Sequence, residues 1–444
     1  MAATIAVTAA DARSQLGRHL LVDGFDLVLD THRSRGSWLV DARDGTRYLD
    51  LFTFFASSPL GMNPPQLTGD PGFLAELTEV AVNKPSNSDV ATTQMATFVT
   101  TFQRVLGIPQ LPRMFLIDGG ALAVENALKA AFDARQATNR QAGRDPSRGT
   151  QVLHLTGAFH GRTGYTMSLT NTDPRKVAGF PRFGWPRIDA PGVRFPLADH
   201  LAATEAAEEH ALAQAEAAFA THGDDLACFI AEPIQCEGGD VHLRAGFLRA
   251  MQSLCHEHGA LFVLDEVQTG AGVTGTPWCH QQLGLEPDLV AFGKKTQICG
   301  VMAGRRLEEA DPNVFTEPGR LNSTWGGNLV DAVRARRLLE VIEDEDLIGH
   351  AARAGERLLA GLHALAGRYP DRVTQARGRG LLCAFDLPST AQRDALLADL
   401  RDTERLLLLG AGERTVRFRP HLAVALVDLD EALDRLDRGL ARLR

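Results

Sequence analysis

Between residues 114 and 303 short apolar runs alternate with helical stretches, and no other feature of this sequence limits the fold as tightly. MFLI, QVLHL, LACFIAE, ALFVLDE, DLVAFG and GVMAG read as strands, separated by segments such as ALAVENALKAAFDA and GFLRAMQSLCHEH that read as helices. Strands that alternate with helices form βαβ units, so the pattern predicts an α/β fold with a mostly parallel sheet buried on both faces. At its N-terminal side, SWLVDARDGTRYLDLF (37–52) places two alternating runs around Asp44-Gly45, a hairpin signal. Beyond residue 330 the order becomes helix, helix, strand, helix, strand, helix, which is an α+β pattern. The Ala- and Glu-rich stretch 201–223 reads as a surface helix ended by Gly223. The expected organisation is an N-terminal segment 1–65 carrying the hairpin and joining the small domain, a large domain 66–330, and a smaller C-terminal α+β domain 331–444.

Bulk properties exclude several classes. A net charge of −9 argues against a nucleic-acid partner, whose footprint is a basic stripe. Six cysteines lie scattered with no CxxC pair, against a disulfide framework or a zinc site. No run approaches the roughly 20 apolar residues of a membrane span. The first residues lack a basic start and their apolar run is broken by Asp11 and Arg13, unlike a secretory leader. No membrane partner, no metal and a cytoplasmic location are therefore expected.

Four stretches carry candidate chemistry. AFGKKTQICG sets Lys294 and Lys295 directly after a buried run. Successive strand residues face opposite ways, so one lysine enters a pocket as a nucleophile, or the strand has ended and both ammonium groups meet solvent. VLDEVQTG puts Asp265 and Glu266 after a strand, where open α/β sheets keep their ligand crevice; either acid pairs with a cationic ring nitrogen or caps a turn. IDGGALAVENALKAA leads a strand through Gly119 and Gly120 into a helix, whose free N–H groups suit a phosphate. GAFHGRTG offers Phe159 for stacking and Arg162 for gripping a carboxylate. GAGVTG (270–275) fits a dinucleotide motif literally, but Pro277 follows and no helix opens there. His256 and His258 of CHEH lie two apart on a helix and so on different faces.

Together a phosphate cradle, a stacking aromatic, an acid after one strand and a lysine after the next describe a site for pyridoxal 5′-phosphate. The succession GGALAVENALKAA, AFHGRTGYT, AEPIQCEGGD, LDEVQTG, AFGKKTQICG, LNSTWGGN and VRFRP resembles the class III (ω-amino) aminotransferases of fold type I along nearly the whole chain. GMNPP, NKPSNSDV, GTQVLHL, GKKTQICGVMAGRR and RLNSTWGGN narrow the resemblance to the L-lysine 6-aminotransferases within that family.

That resemblance implies a large domain with a mostly parallel sheet, a smaller α+β domain, and a role for each matching residue. Lys294 corresponds to the lysine that binds the cofactor as a Schiff base, with Lys295 turned away. Asp265 corresponds to the partner of the ring nitrogen, Gln268 to a residue near the ring hydroxyl, Phe159 to the stacking aromatic, and Gly120 with Ala121 to the phosphate cradle. His160, Glu232 and Ser323 match further cofactor contacts, and Asn322 and Gln268 match substrate contacts. Thr324 matches a phosphate contact from the neighbouring subunit, which implies a homodimer. The implied reaction takes the ε-amino group of L-lysine to 2-oxoglutarate, giving L-glutamate and 2-aminoadipate 6-semialdehyde, which cyclises to piperideine-6-carboxylate; ornithine or 4-aminobutyrate transamination is the alternative. Arg162 would hold the remote carboxylate and Arg417 the near one, with Glu237 covering Arg417 while the amine reacts; Arg419 is the alternative to Arg417. Cys236, where glycine is expected, and Phe55, where a smaller residue is expected, depart from the pattern.

Overall fold

A computed structural model describes residues 6–443; residues 1–5 of the expected N-terminal segment, and Arg444 at the end of the expected C-terminal domain, lie outside them. The hairpin forms from β1 (Trp38–Val40) and β2 (Arg47–Asp50), antiparallel, with Trp38 opposite Leu49 and Val40 opposite Arg47. Its loop is wider than a two-residue turn. Asp41 N–H donates to the Thr46 carbonyl at 2.8 Å, and Gly45 supplies the positive φ of 81° the bend requires.

The alternating region folds as β3 (Arg113–Ile117), β4 (Gln151–Leu155), β5 (Arg187–Ile188), β6 (Leu226–Ala231), a small hairpin of β7 (Ile234–Gln235) and β8 (Val241–His242), then β9 (Leu261–Asp265), β10 (Leu289–Phe292) and β11 (Cys299–Ala303). Seven of these make one sheet in the order β3-β11-β10-β9-β6-β4-β5, in which β11 runs antiparallel to both neighbours and the other pairs are parallel. Both faces are buried, as a parallel sheet requires. Ile230, Val263 and Ala291 pack on one face with Val124, Leu128 and Ala131 of the helix Gly120–Gln141. Their strand neighbours Phe229, Leu264 and Phe292 pack on the other with Phe98, Phe102 and Trp278. Strand β5, between Pro186 and Pro191, has two residues and gives no pattern a sequence reading could catch.

The stretch around 201–223 is the helix Leu197–His222, which begins after Pro196 and ends at Gly223, whose φ is 54°. Towards the C-terminus β12 (Thr374–Arg379), β13 (Leu382–Asp386), β14 (Leu406–Leu407), β15 (Leu409–Ala411) and β16 (Thr415–Phe418) follow, and β12-β13-β16-β15 form an antiparallel sheet. Helices Leu347–Arg368, Thr390–Asp402 and Leu426–Arg442 accompany it. β14 pairs parallel with β2, Leu406 opposite Leu49, which ties the N-terminal hairpin to this part of the chain. Among the described residues no helix is long and apolar enough to cross a membrane, and no cluster of His, Cys, Asp or Glu could hold a metal ion. All six cysteines are free.

Candidate active site

Because the parallel strands share a direction, the segments that leave their C-terminal ends meet on one side of the sheet. They enclose a cavity of about 520 Å³. From β3 come Gly120 and Ala121, from β4 Phe159, His160, Gly161 and Arg162, from β6 Glu232, from β9 Asp265, Val267 and Gln268, and from β10 Lys294; Cys299 opens β11. Nine residues singled out from the sequence thus come together. Gly161, Val267 and Cys299 were not foreseen; Gly161 lay in plain view within GAFHGRTG, whereas Val267 and Cys299 are apolar positions that carry no chemical signal.

Lys294 does not sit on a strand. β10 stops at Phe292, and Lys294, at φ 54°, opens a short 3₁₀ turn through Thr296. The expected separation of the two lysines by strand faces therefore gives way to separation by a turn. Lys294 lines the cavity, while Lys295 is buried away from it. Each ammonium donates to a carbonyl of the segment Thr53–Ala56: Lys294 Nζ to Phe55 O at 3.2 Å, Lys295 Nζ to Ala56 O at 3.0 Å. That segment runs with φ of 43° to 68° at four consecutive non-glycine residues, a left-handed turn that costs roughly 1–2 kcal/mol per residue and must be held from outside. Asp50 helps to hold it by accepting from Phe52 N and Thr53 N at 2.9 Å. The Phe55 ring packs edge-on against Phe52 and is largely exposed, so this departure from the expected pattern brings a carbonyl, not an aromatic ring, to the site.

Burial depresses the Lys294 amine to about 8, and the nearby Arg417 charge adds to the effect. Burial likewise takes Lys295 down to about 7, with Arg419 and Lys294 adding. A lysine so perturbed presents a neutral, nucleophilic amine close to physiological pH.

Behind the cavity lies a chain of acids around one histidine. His160 Nδ1 and Asp265 Oδ2 are 2.8 Å apart, both residues buried, and Asp265 Oδ1 accepts from Val267 N at 3.0 Å. Burial pulls the imidazole down, but the hydrogen bond and charge of Asp265 outweigh it and raise His160 above its ordinary value. Glu232 accepts from Phe159 N at 2.9 Å and Cys236 N at 3.2 Å. Burial, resisted by His160 and helped by the Asp265 charge, lifts Glu232 to about 7. Of the two adjacent acids, Asp265 is the one that faces the cavity; Glu266 turns the other way, accepting from Cys279 N, His280 N and Thr269 Oγ1 as a capping acid.

Glycine is needed where β3 passes into the helix that follows it. Gly119 (φ 102°) precedes the helix Gly120–Gln141, and a Cβ on Gly120 would lie 2.8 Å from Val267 Cγ1. Gly120 and Ala121, the first residues of that helix, line the cavity, and a helix start is where backbone N–H groups lack partners within the helix.

Beside the cavity, Arg417 of β16 is buried and donates to Glu237 Oε2 at 2.8 Å and to the Cys236 carbonyl at 3.1 Å. Cys236 has no positive φ and contributes its backbone, so the missing glycine there causes no strain. Arg419 is already committed: it is fully buried against Asp240, with 3.0 Å between Nη1 and Oδ2, and donates to the cavity-lining Gln268 Oε1 at 3.1 Å. Arg162 is exposed at the cavity mouth. Asn322, Ser323 and Thr324 lie outside the cavity, on the stretch before Gly326 that also exposes half of Trp325. His256 sits 3.0 Å from Asp288 and His258 stacks on Phe219, while 270–275 opens no helix, so neither decoy motif forms a site.

Comparison with known proteins follows the same line. The family model described as aminotransferase class-III matches residues 23–440. An L-lysine-epsilon aminotransferase of Amycolatopsis lactamdurans is 58% identical over 433 residues, covering 98% of this chain and 96% of that protein. One from Mycobacterium tuberculosis (strain ATCC 25618 / H37Rv) is 60% identical over 418 residues, covering 94% and 92%. The solved structure of a lysine aminotransferase from M. tuberculosis in the internal aldimine form superposes with a TM-score of 0.96 at 58% identity, covering 98% of this chain and 99% of that one.

Proposed function

The chain belongs to the class-III aminotransferases, enzymes that work through pyridoxal 5′-phosphate, and from that premise we propose that it moves the ε-amino group of L-lysine onto 2-oxoglutarate. The products are L-glutamate and 2-aminoadipate 6-semialdehyde, which closes to piperideine-6-carboxylate. The cavity fits the cofactor: it holds one amine tuned to about 8, an acid fixed by a histidine, and a glycine-led helix start. Lys294 would hold the cofactor covalently, Gly120 and Ala121 its phosphate, Phe159 its ring face and Gln268 its ring hydroxyl. Thr324 would complete the phosphate site from the neighbouring subunit of a homodimer, which would account for its lying outside the cavity of its own chain, and Ser323 would be a further cofactor contact. When bound, the cofactor supplies an electron sink for the charge left as a C–H proton departs.

The side chains supply the rest. Asp265, oriented by His160, would keep a proton on the ring nitrogen. Lys294 Nζ takes the proton from the carbon bearing the amine. The observation that carries the choice of substrates is the Arg417–Glu237 pair, a buried guanidinium covered by an acid, with a second guanidinium, Arg162, lining the cavity. Lysine reacts at its distal amine with its carboxylate out at Arg162, aided by Asn322, while Glu237 neutralises Arg417. 2-Oxoglutarate reacts beside its own carboxylate, which takes the place of Glu237 on Arg417. The enzyme would work in the cytoplasm, a reducing compartment in which its six free cysteines stay thiols.

Incubation of the purified enzyme with lysine and 2-oxoglutarate should yield a cyclic imine that an aromatic aminoaldehyde traps as a coloured adduct. Faster turnover of ornithine or 4-aminobutyrate in the same assay would overturn the choice of lysine.

A further inference from the structure

Glu237 is held by two cations. Arg417 donates to Oε2 at 2.8 Å, and Lys176 Nζ donates to Oε1 at 2.7 Å. Lys176 closes the short turn Pro174–Lys176, which Asp173 caps through Arg175 N, and its ammonium stands 5.1 Å from the centre of the Phe159 ring. Its side chain is 17% exposed, against 27% for Glu237 and 2% for Arg417. The second cation lies nearer to solvent than Arg417 and on the opposite oxygen.

This arrangement bears on what happens to Glu237 when a substrate carboxylate claims Arg417. Were Arg417 its sole partner, uncovering the guanidinium would leave a mostly buried carboxylate unpaired, which is costly. With Lys176 on the other oxygen, the acid can release Arg417 and keep a partner. In the covered state its charge is divided between two cations; once Arg417 is taken by the incoming carboxylate, Lys176 has the acid to itself, so its attraction is greater in the uncovered state.

We propose that Lys176 is a positioning residue that receives Glu237 when the 2-oxo acid binds, and so sets the balance between the amine and oxo-acid halves of the reaction. The proposal rests on the reading of Arg417 and Glu237 given above. Lys176 touches neither reactant; it acts through Glu237.

The test is calorimetric binding of glutarate, an unreactive dicarboxylate, to the dimeric holoenzyme, beside kcat and KM for lysine and for 2-oxoglutarate. Lys176→Met should raise the glutarate Kd and the 2-oxoglutarate KM about tenfold, the scale of a hydrogen bond to a charged group, and change the lysine KM less. Lys176→Arg should restore most of the loss. In a Glu237→Ala background the effect of Lys176→Met should vanish. Tighter glutarate binding in Lys176→Met would mean that Lys176 pins the acid onto Arg417, and an effect that persists without Glu237 would mean that Lys176 attracts the substrate directly; either result, or no change, overturns the proposal. Glu237→Ala alone separates the two readings: if it leaves glutarate affinity unchanged, the underlying assignment of Arg417 and Glu237 fails, whatever Lys176 does.

Discussion

Gly161 ties the geometry of the fold to that of the site, and Gly161→Ala exposes the tie. Its φ of 129° is a conformation that side-chain-bearing residues rarely adopt. A Cβ there would also lie 2.8 Å from Thr166 Oγ1 and 2.9 Å from Ala121 Cα, a backbone atom that cannot rotate aside. Gly179→Ala supplies the control: that glycine also has a positive φ, 77°, but a Cβ on it would meet nothing within 4 Å. Both substitutions carry a backbone cost of roughly 1–2 kcal/mol. Overlap against packed neighbours adds about 1–3 kcal/mol more at Gly161 alone. Urea unfolding of the two variants should therefore differ by about 1–3 kcal/mol, with Gly161→Ala the weaker. The overlap pushes on Ala121, in the first turn of the helix Gly120–Gln141, so Gly161→Ala should also weaken cofactor retention on dialysis, and Gly179→Ala should not. Equal stability and equal retention in the two variants would refute the close approach of the β4 loop to that helix start.

Two further outcomes follow from the buried charges. With Lys294 held at about 8 instead of its ordinary 10.5, its amine is protonated below that pH and neutral above it, so covalent uptake of cofactor by the apoenzyme should accelerate from pH 6 to 8 and level off beyond; a midpoint near 10 would contradict the burial of that amine. Asp240→Asn leaves Arg419 charged and unpaired in a fully buried place, which should cost about 3–5 kcal/mol in unfolding free energy, and replacing both residues by apolar ones should recover much of it.

Much of the site was legible because its chemistry falls at strand ends. Lys294, Asp265, Phe159 and Gly120 each follow a recognisable apolar run, and a parallel sheet brings such ends together without any long-range information. The acids illustrate the limit of that reasoning. Asp265 and Glu266 are equivalent in sequence, and their opposite roles arise because Glu266 caps the segment from Trp278 onwards while Asp265 meets His160. Pairings across long stretches of chain were hidden: Arg419 finds Asp240, and Lys176 finds Glu237, with no local pattern to announce either. The left-handed turn Thr53–Ala56 was illegible for another reason, since no glycine marks it and the ammonium groups of distant lysines help to hold it. Strand β12 escaped because TQARGR is polar and derives its place from pairing with β13.

The site as a whole is organised around one amine. Hydride reduction of the cofactor-loaded enzyme, followed by proteolysis and fragment mass spectrometry of the peptide spanning 291–300, should find the cofactor mass on Lys294 and leave Lys295 unmodified. A label on Lys295, or none on this peptide, would contradict the account.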